Sequence, residues 1–151
     1  EEIARRHQVM AMFDAKGPYK KGDKWSSLAA SPAGMLRSKT FEKVYTLTDL
    51  KEENNQKIAT IEMNAVPSSK RVEGATEKDA GMGMFANMFE EKDEYTGKMI
   101  INLTTGQIKS YQEKLHAQWL AAETSEEQKS DKGPDQLTMG FTYKYSIEKA
   151  D

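Results

Sequence analysis

Cysteine is absent from all 151 residues. Disulfides, thiolate metal sites and cysteine nucleophiles are excluded with it. Histidine occurs only at His7 and His116. Neither belongs to an H-E-x-x-H motif or to a pair at helical spacing, so a zinc site lacks its ligands and a Ser–His triad has little to draw on. No apolar run approaches the ~20 residues of a membrane helix. Charge of one sign is missing too: 22 lysines and arginines face 24 acidic residues, for a net charge of -2. A nucleic-acid binder needs a basic footprint that this balance does not supply. The sequence holds no G-x-S-x-G and no P-loop, and Gly81-x-Gly83 is too short to cradle a phosphate. No catalytic residue, metal ligand or cofactor site is assigned.

What remains is a globular composition. Hydrophobic residues at 37% supply a core and charged residues at 30% a polar surface, which separates the chain from disordered sequences. Its length is that of one domain, residues 1–151. The most informative stretch runs from Tyr95 to Trp119. Tyr95, Gly97, Met99, Ile101 and Leu103 share one parity, and the polar Glu94, Thr96, Lys98, Asn102 and Thr104 share the other. Such alternation marks a strand with one buried face. Gly106 follows as a bend residue able to take positive φ, and the chain returns through Ile108, Tyr111, Leu115, Ala117 and Trp119. This is a long antiparallel hairpin.

Residues 1–13 have a helical spacing at Ile3, His7 and Met10, stopped by Gly17-Pro18. A lysine-rich loop then leads to Trp25, whose ring is expected to anchor it. Residues 26–34 are small and polar and are expected to continue the loop. Phe41, Tyr45 and Leu47 mark a strand of about 35–50, and the turn at 51–55 leads to a second strand through Ala59, Ile61, Met63 and Ala65. Residues 68–93 form a long connection containing Met82, Met84, Phe85, Met88 and Phe89. The last strand is an unbroken alternation of Leu137, Met139, Phe141, Tyr143, Tyr145 and Ile147. The expected fold is therefore α+β and mainly β. About five long, twisted antiparallel strands are arranged as hairpin, long crossing and three-stranded meander, and the N-terminal helix packs on one face. Trp25, Phe41, Tyr45, Phe141 and Tyr145 are its expected structural anchors.

Several residue groups invite a chemical reading. Glu90, Glu91, Asp93 and Glu94 form one acidic cluster, and Glu123, Glu126, Glu127 and Asp131 another. Paired carboxylates serve glycoside hydrolysis, but solvated strand-end charge is the plainer reading, and calcium-loop spacing is absent. The thioethers of Met82, Met84 and Met88 are soft enough for Cu(I). The plainer reading is flexible apolar filler that, with Phe85 and Phe89, forms a lid over the sheet, a contact for a ligand or partner, or ordinary core. Lys16, Lys20, Lys21 and Lys24, with Arg5 and Arg6, make a basic patch of the kind that meets anionic lipid, although a solvated loop explains it as well. Asn102-Leu103-Thr104 matches the glycosylation acceptor pattern.

Gly22-Asp23-Lys24-Trp25 is followed by Tyr45-x-Leu47, a glutamate/asparagine turn, and Ala59-x-Ile61. Residues 97–106 add a glycine-led hydrophobic strand ending in a glycine bend. This series resembles the G-D-x-W, Y-x-L and A-x-I pattern of uncharacterised exported bacterial proteins, many of them lipoprotein-like. The resemblance covers most of the chain from Lys20 onward, and the Met-rich segment departs from it. It implies an extracytoplasmic location, in the periplasm or cell envelope, as the C-terminal part of a longer protein tethered through its N-terminus. It brings no catalytic residues. The functional expectation is a non-enzymatic binding or assembly domain for an apolar ligand or a protein partner. The alternatives are a hydrolase using clustered carboxylates and a structural domain of an envelope lipoprotein.

Overall fold

The computed structural model describes residues 18–70, 72, 89–122 and 136–149. They form six strands: β1 (Lys24–Ala30), β2 (Thr40–Glu53), β3 (Gln56–Ser68), β4 (Glu90–Asn102), β5 (Gln107–Ala122) and β6 (Gln136–Glu148). All neighbours are antiparallel and the spatial order is β1-β2-β3-β4-β5-β6. The result is an open meander, all-β among the described residues. The expected N-terminal helix lies outside those residues, as do Met82, Met84, Phe85, Met88 and the acidic loop at 123–131.

Three expectations are corrected. The sheet has six strands rather than five, because residues 26–30 continue a strand that starts at Lys24 and pairs with β2 from Lys24↔Thr46 to Ala30↔Thr40. Serine and alanine at an edge carry no hydrophobic alternation, so pairing rather than propensity creates β1. The expected crossing does not separate the strands on either side of it: β3 and β4 are direct neighbours, from Ile58↔Asn102 to Ala65↔Tyr95. The alternation of the last strand calls for Leu137, Phe141 and Tyr145 to be buried, but Leu137 is 55% exposed, since it starts an edge strand. Phe141 and Tyr145, further along, are half-buried.

Two bulges shape the inner face. In β2 the register passes from Leu47↔Ile61 to Asp49↔Thr60, leaving Thr48 as the extra residue. In β5 it passes from Ile101↔Ile108 to Ile100↔Ser110, with Lys109 extra. Each insertion changes the parity, so Leu50 joins the face of Leu47, and Ile108 that of Tyr111. Asn54 and Asn55 turn the β2–β3 hairpin with φ of 51° and 60°, the pair of left-handed residues that a tight two-residue hairpin needs. Asn102 closes the next one. Its Oδ1 accepts from the Thr104 and Thr105 amides at 3.0 and 3.2 Å, and its Nδ2 donates to Gln56 Oε1 at 2.8 Å. This Asn is buried, so its acceptor pattern is a turn device.

The inner face holds the core. Phe41, Leu47, Ala59, Leu115 and Ala117 have no exposed surface, and Tyr45, Ile61, Met99 and Tyr111 almost none. Burying each large apolar side chain is worth about 1.5–3 kcal/mol. Aromatic rings meet edge-on where Phe41 of β2 touches Tyr95 of β4 at 5.3 Å, passing over β3. Contact over an intervening strand shows that this face is concave. Trp25 stacks on Tyr45 at 5.9 Å, which ties β1 to the core. Gly34, between β1 and β2, has φ of 102°, and a Cβ there would stand 2.9 Å from the Phe141 ring. The first connection thus folds against the last strand, and only glycine fits that approach.

Candidate functional site

At the centre of the concave face two charged residues interrupt the apolar pattern. Lys43 shares the parity of Phe41 and Tyr45, and Glu113 that of Tyr111 and Leu115. Both are buried, at 4% and 3% exposure. In register, Lys43 faces Ala65, which faces Tyr95, and Glu113 faces Gly97, which faces Met63. Ala65 and Gly97 leave a low passage between them, and Lys43 reaches through it from β2 to β5. Its Nζ stands 2.5 Å from Glu113 Oε1 and 4.9 Å from the centre of the Tyr95 ring. The Tyr95 hydroxyl donates to Glu113 Oε2 at 2.7 Å, and the Tyr111 hydroxyl donates to Oε1.

The carboxylate is therefore saturated by one ammonium and two phenols. A fully buried charge is tolerable only with such partners. Burial and the Glu113 charge both push the Tyr95 phenol far above the ordinary tyrosine value, and burial above all pushes Tyr45 up to about 12. Both tyrosines stay neutral, and the Tyr95 hydroxyl serves as a donor to Glu113.

A second inner group lies near the start of β4. Lys39 Nζ is 2.5 Å from Asp93 Oδ2 and 2.9 Å from Glu91 Oε1. The acidic cluster at 90–94 is thus split by the strand. Glu91 and Asp93 turn inward, half-buried against a lysine, which corrects their reading as solvated charge, while Glu90 and Glu94 point outward and are exposed. Each inward carboxylate already has a cation. The cluster does not assemble into a free carboxylate pair.

The outer face is different. A trough of about 1070 Å³ crosses it, lined by Lys24, Val44, Thr46, Thr48, Glu62, Asn64, Thr96, Lys98, Gln112, Lys114, Lys144 and Ser146. A twisted sheet is a saddle, so the twist that curls the inner face around its core hollows the outer face along the other diagonal. Glu113 and Tyr145 also border the trough, but from behind, since the Glu113 carboxylate is held by Lys43 and the Tyr145 ring packs on Tyr111 at 6.1 Å.

Two rows of side chains run across the trough. One is Ser26–Val44–Asn64–Thr96–Lys114–Lys144, and the other is Lys24–Thr46–Glu62–Lys98–Gln112–Ser146. Lys114 and Lys144 stand directly opposite each other, with Lys98 on the diagonal. Directly opposed side chains sit about 4.5–5.5 Å apart at Cβ and diagonal ones about 7–8 Å, and like charges at the shorter spacing are destabilising. All three lysines are exposed, and none forms an ion pair or hydrogen bond with the described residues. Glu62 opposes Lys98, and Glu94 lies diagonal to Lys114. His116, a little further along, shares a 3.0 Å hydrogen bond with Thr142.

Of the contact residues expected from sequence, Phe89 alone is described, half-buried against the core. Trp25, Phe41, Tyr45, Phe141 and Tyr145 all belong to the inner face or pack on it. Sequence reasoning passed over Lys43, Glu113 and the outer lysines. The signal for the first two was present: a charged residue on the apolar parity of a strand, of opposite sign in two strands. Comparison with protein-family models, curated proteins and solved structures returned no match.

Proposed function

We propose that this chain is a non-enzymatic binding domain of an exported, envelope-located protein, and that its contact surface is the outer trough. One observation carries the reading. The fold gives every inward carboxylate of its concave face a lysine partner, with Lys39 shared by Glu91 and Asp93, yet keeps Lys114 and Lys144 opposed and unpaired on the outer face. A repulsive cross-strand pair lowers stability, and such a feature is retained where a surface serves binding. The filled inner face supports a protein or polar partner in place of an apolar ligand cupped by the sheet. The extracytoplasmic location rests on the resemblance of the Gly22-Asp23-Lys24-Trp25 series.

Native mass spectrometry of the protein purified from its own host tests this. The reading expects a discrete added mass that dissociates at raised ionic strength, because contacts between exposed charges are screened by salt. A bare chain mass at low ionic strength favours the structural-domain alternative. An added mass that survives high salt and partitions with lipid returns the argument to an apolar ligand.

A further inference from the structure

Lysine at three corners of one small patch defines what the trough can hold. We infer that Lys98, Lys114 and Lys144 bind an acidic polypeptide segment lying extended along the trough, an inference that rests on the binding-domain reading above. Lys24, Lys98, Lys114 and Lys144 line the trough against two glutamates, Glu62 and Glu113, and the carboxylate of Glu113 is already held by Lys43. The potential inside is positive although the whole chain is slightly acidic. A hollow with walls concentrates such a field more than a flat surface does.

The spacing selects the form of the partner. An extended chain places alternate side chains about 6.6–6.8 Å apart. That value falls between the direct spacing of Lys114 and Lys144 and the diagonal spacing of Lys98 and Lys114. Lysine stems are flexible, so ammoniums rooted at these spacings can follow aspartate or glutamate at every second position. Between the lysines stand Thr46, Asn64, Thr96, Gln112 and Ser146, neutral donors and acceptors suited to peptide groups. Among the described residues the one aromatic side chain at the trough is Tyr145, and its ring packs on Tyr111. Single-stranded nucleic acids are bound on aromatic platforms, so the face lacks their recognition element.

The test is fluorescence anisotropy of a labelled ten-residue peptide alternating glutamate and threonine, titrated with the full chain. The same peptide with glutamine for glutamate is the control. The inference expects binding of the acidic peptide alone, weakened about tenfold when ionic strength rises from ~0.02 to ~0.2 M. Lys98→Gln/Lys114→Gln/Lys144→Gln should lower affinity by tenfold or more, with the circular-dichroism spectrum and thermal midpoint showing an intact fold. Glu62→Gln should raise affinity. Equal affinity of the triple variant overturns the inference. So does a silent peptide, or tighter binding of heparin or of vesicles containing phosphatidylglycerol. If the peptide is silent while native mass spectrometry still shows a salt-labile partner, the partner class falls and the binding-domain reading stands. Silence in both removes both.

Discussion

Glu113 is the buried charge on which the concave face depends, and removing it should be expensive. Its carboxylate holds Lys43 at 2.5 Å and receives the hydroxyls of Tyr95 and Tyr111. Glu113→Gln keeps a carbonyl oxygen at one of the two positions that the phenols use and leaves the Lys43 ammonium without its countercharge, among side chains with almost no exposure. Breaking a buried pair from one side costs about 3–5 kcal/mol, and the retained acceptor places this variant near ~3 kcal/mol. Lys43→Met strands the carboxylate instead and falls in the same range of about 3–5 kcal/mol. The double variant removes both charges but keeps an acceptor for only one of the two tyrosine hydroxyls, so it should cost about 1–3 kcal/mol, from imperfect packing and the displaced hydroxyl. The resulting coupling exceeds ~2 kcal/mol. Urea unfolding followed by tyrosine and tryptophan fluorescence measures it. With m of about 1–3 kcal/mol per molar, each single variant shifts the midpoint by about 1 M or more at unchanged m. Single variants that each lose under ~1 kcal/mol, with an additive double, would refute the claim that Lys43 and Glu113 form a desolvated pair.

Three further outcomes follow from the same geometry. Tyr45 is raised to about 12 and Tyr95 beyond the usual range, both chiefly by burial. Their contribution is complete below the ordinary tyrosine value near ~10 and is lost as pH rises through the raised values. Alkaline unfolding should therefore begin above pH ~10, and tyrosine absorbance near ~295 nm should rise in step with loss of fold; full ionisation of all tyrosines in a still-folded protein would contradict the burial argument. Lys144→Glu replaces a repulsive cross-strand pair with an attractive one and should stabilise the fold by about 0.5–1 kcal/mol in denaturant melts, whereas a loss would show that the lysines are not in conflict. Gly34→Ala puts a Cβ against the Phe141 ring at a left-handed φ and should lower stability by about 1–3 kcal/mol, and an unchanged thermal midpoint would mean the first connection does not hold against β6.

The sequence made the long strands legible and left the charge arrangement dark, for identifiable reasons. Tyr95 to Ile101 and Tyr111 to Trp119 alternate cleanly because one side meets core and the other solvent, and that contrast is written locally. Trp25 announced an anchor, but the strand it begins carries serines and alanines, whose place in the sheet comes from pairing with Lys43 and Glu42. The bulges at Thr48 and Lys109 shift parity without any glycine to mark them. Lys43 and Glu113 lie 70 residues apart, and each alone looks like an interruption of an apolar face. Their meaning appears only when β3 and β4 lie between them with Ala65 and Gly97 at the crossing. The opposed Lys114 and Lys144 depend on the register of β5 with β6, which no local pattern discloses.

The central claim is that the outer lysines are free in the isolated protein and covered when its partner is bound. Per-residue acetylation of the lysines, read by peptide mass spectrometry, tests it directly on the free chain and on the complex isolated from the host. The account predicts fast labelling of Lys98, Lys114 and Lys144 in the free protein and their protection in the complex, with Lys43 slow in both because it is buried against Glu113. Equal labelling of the three outer lysines in both samples would contradict it.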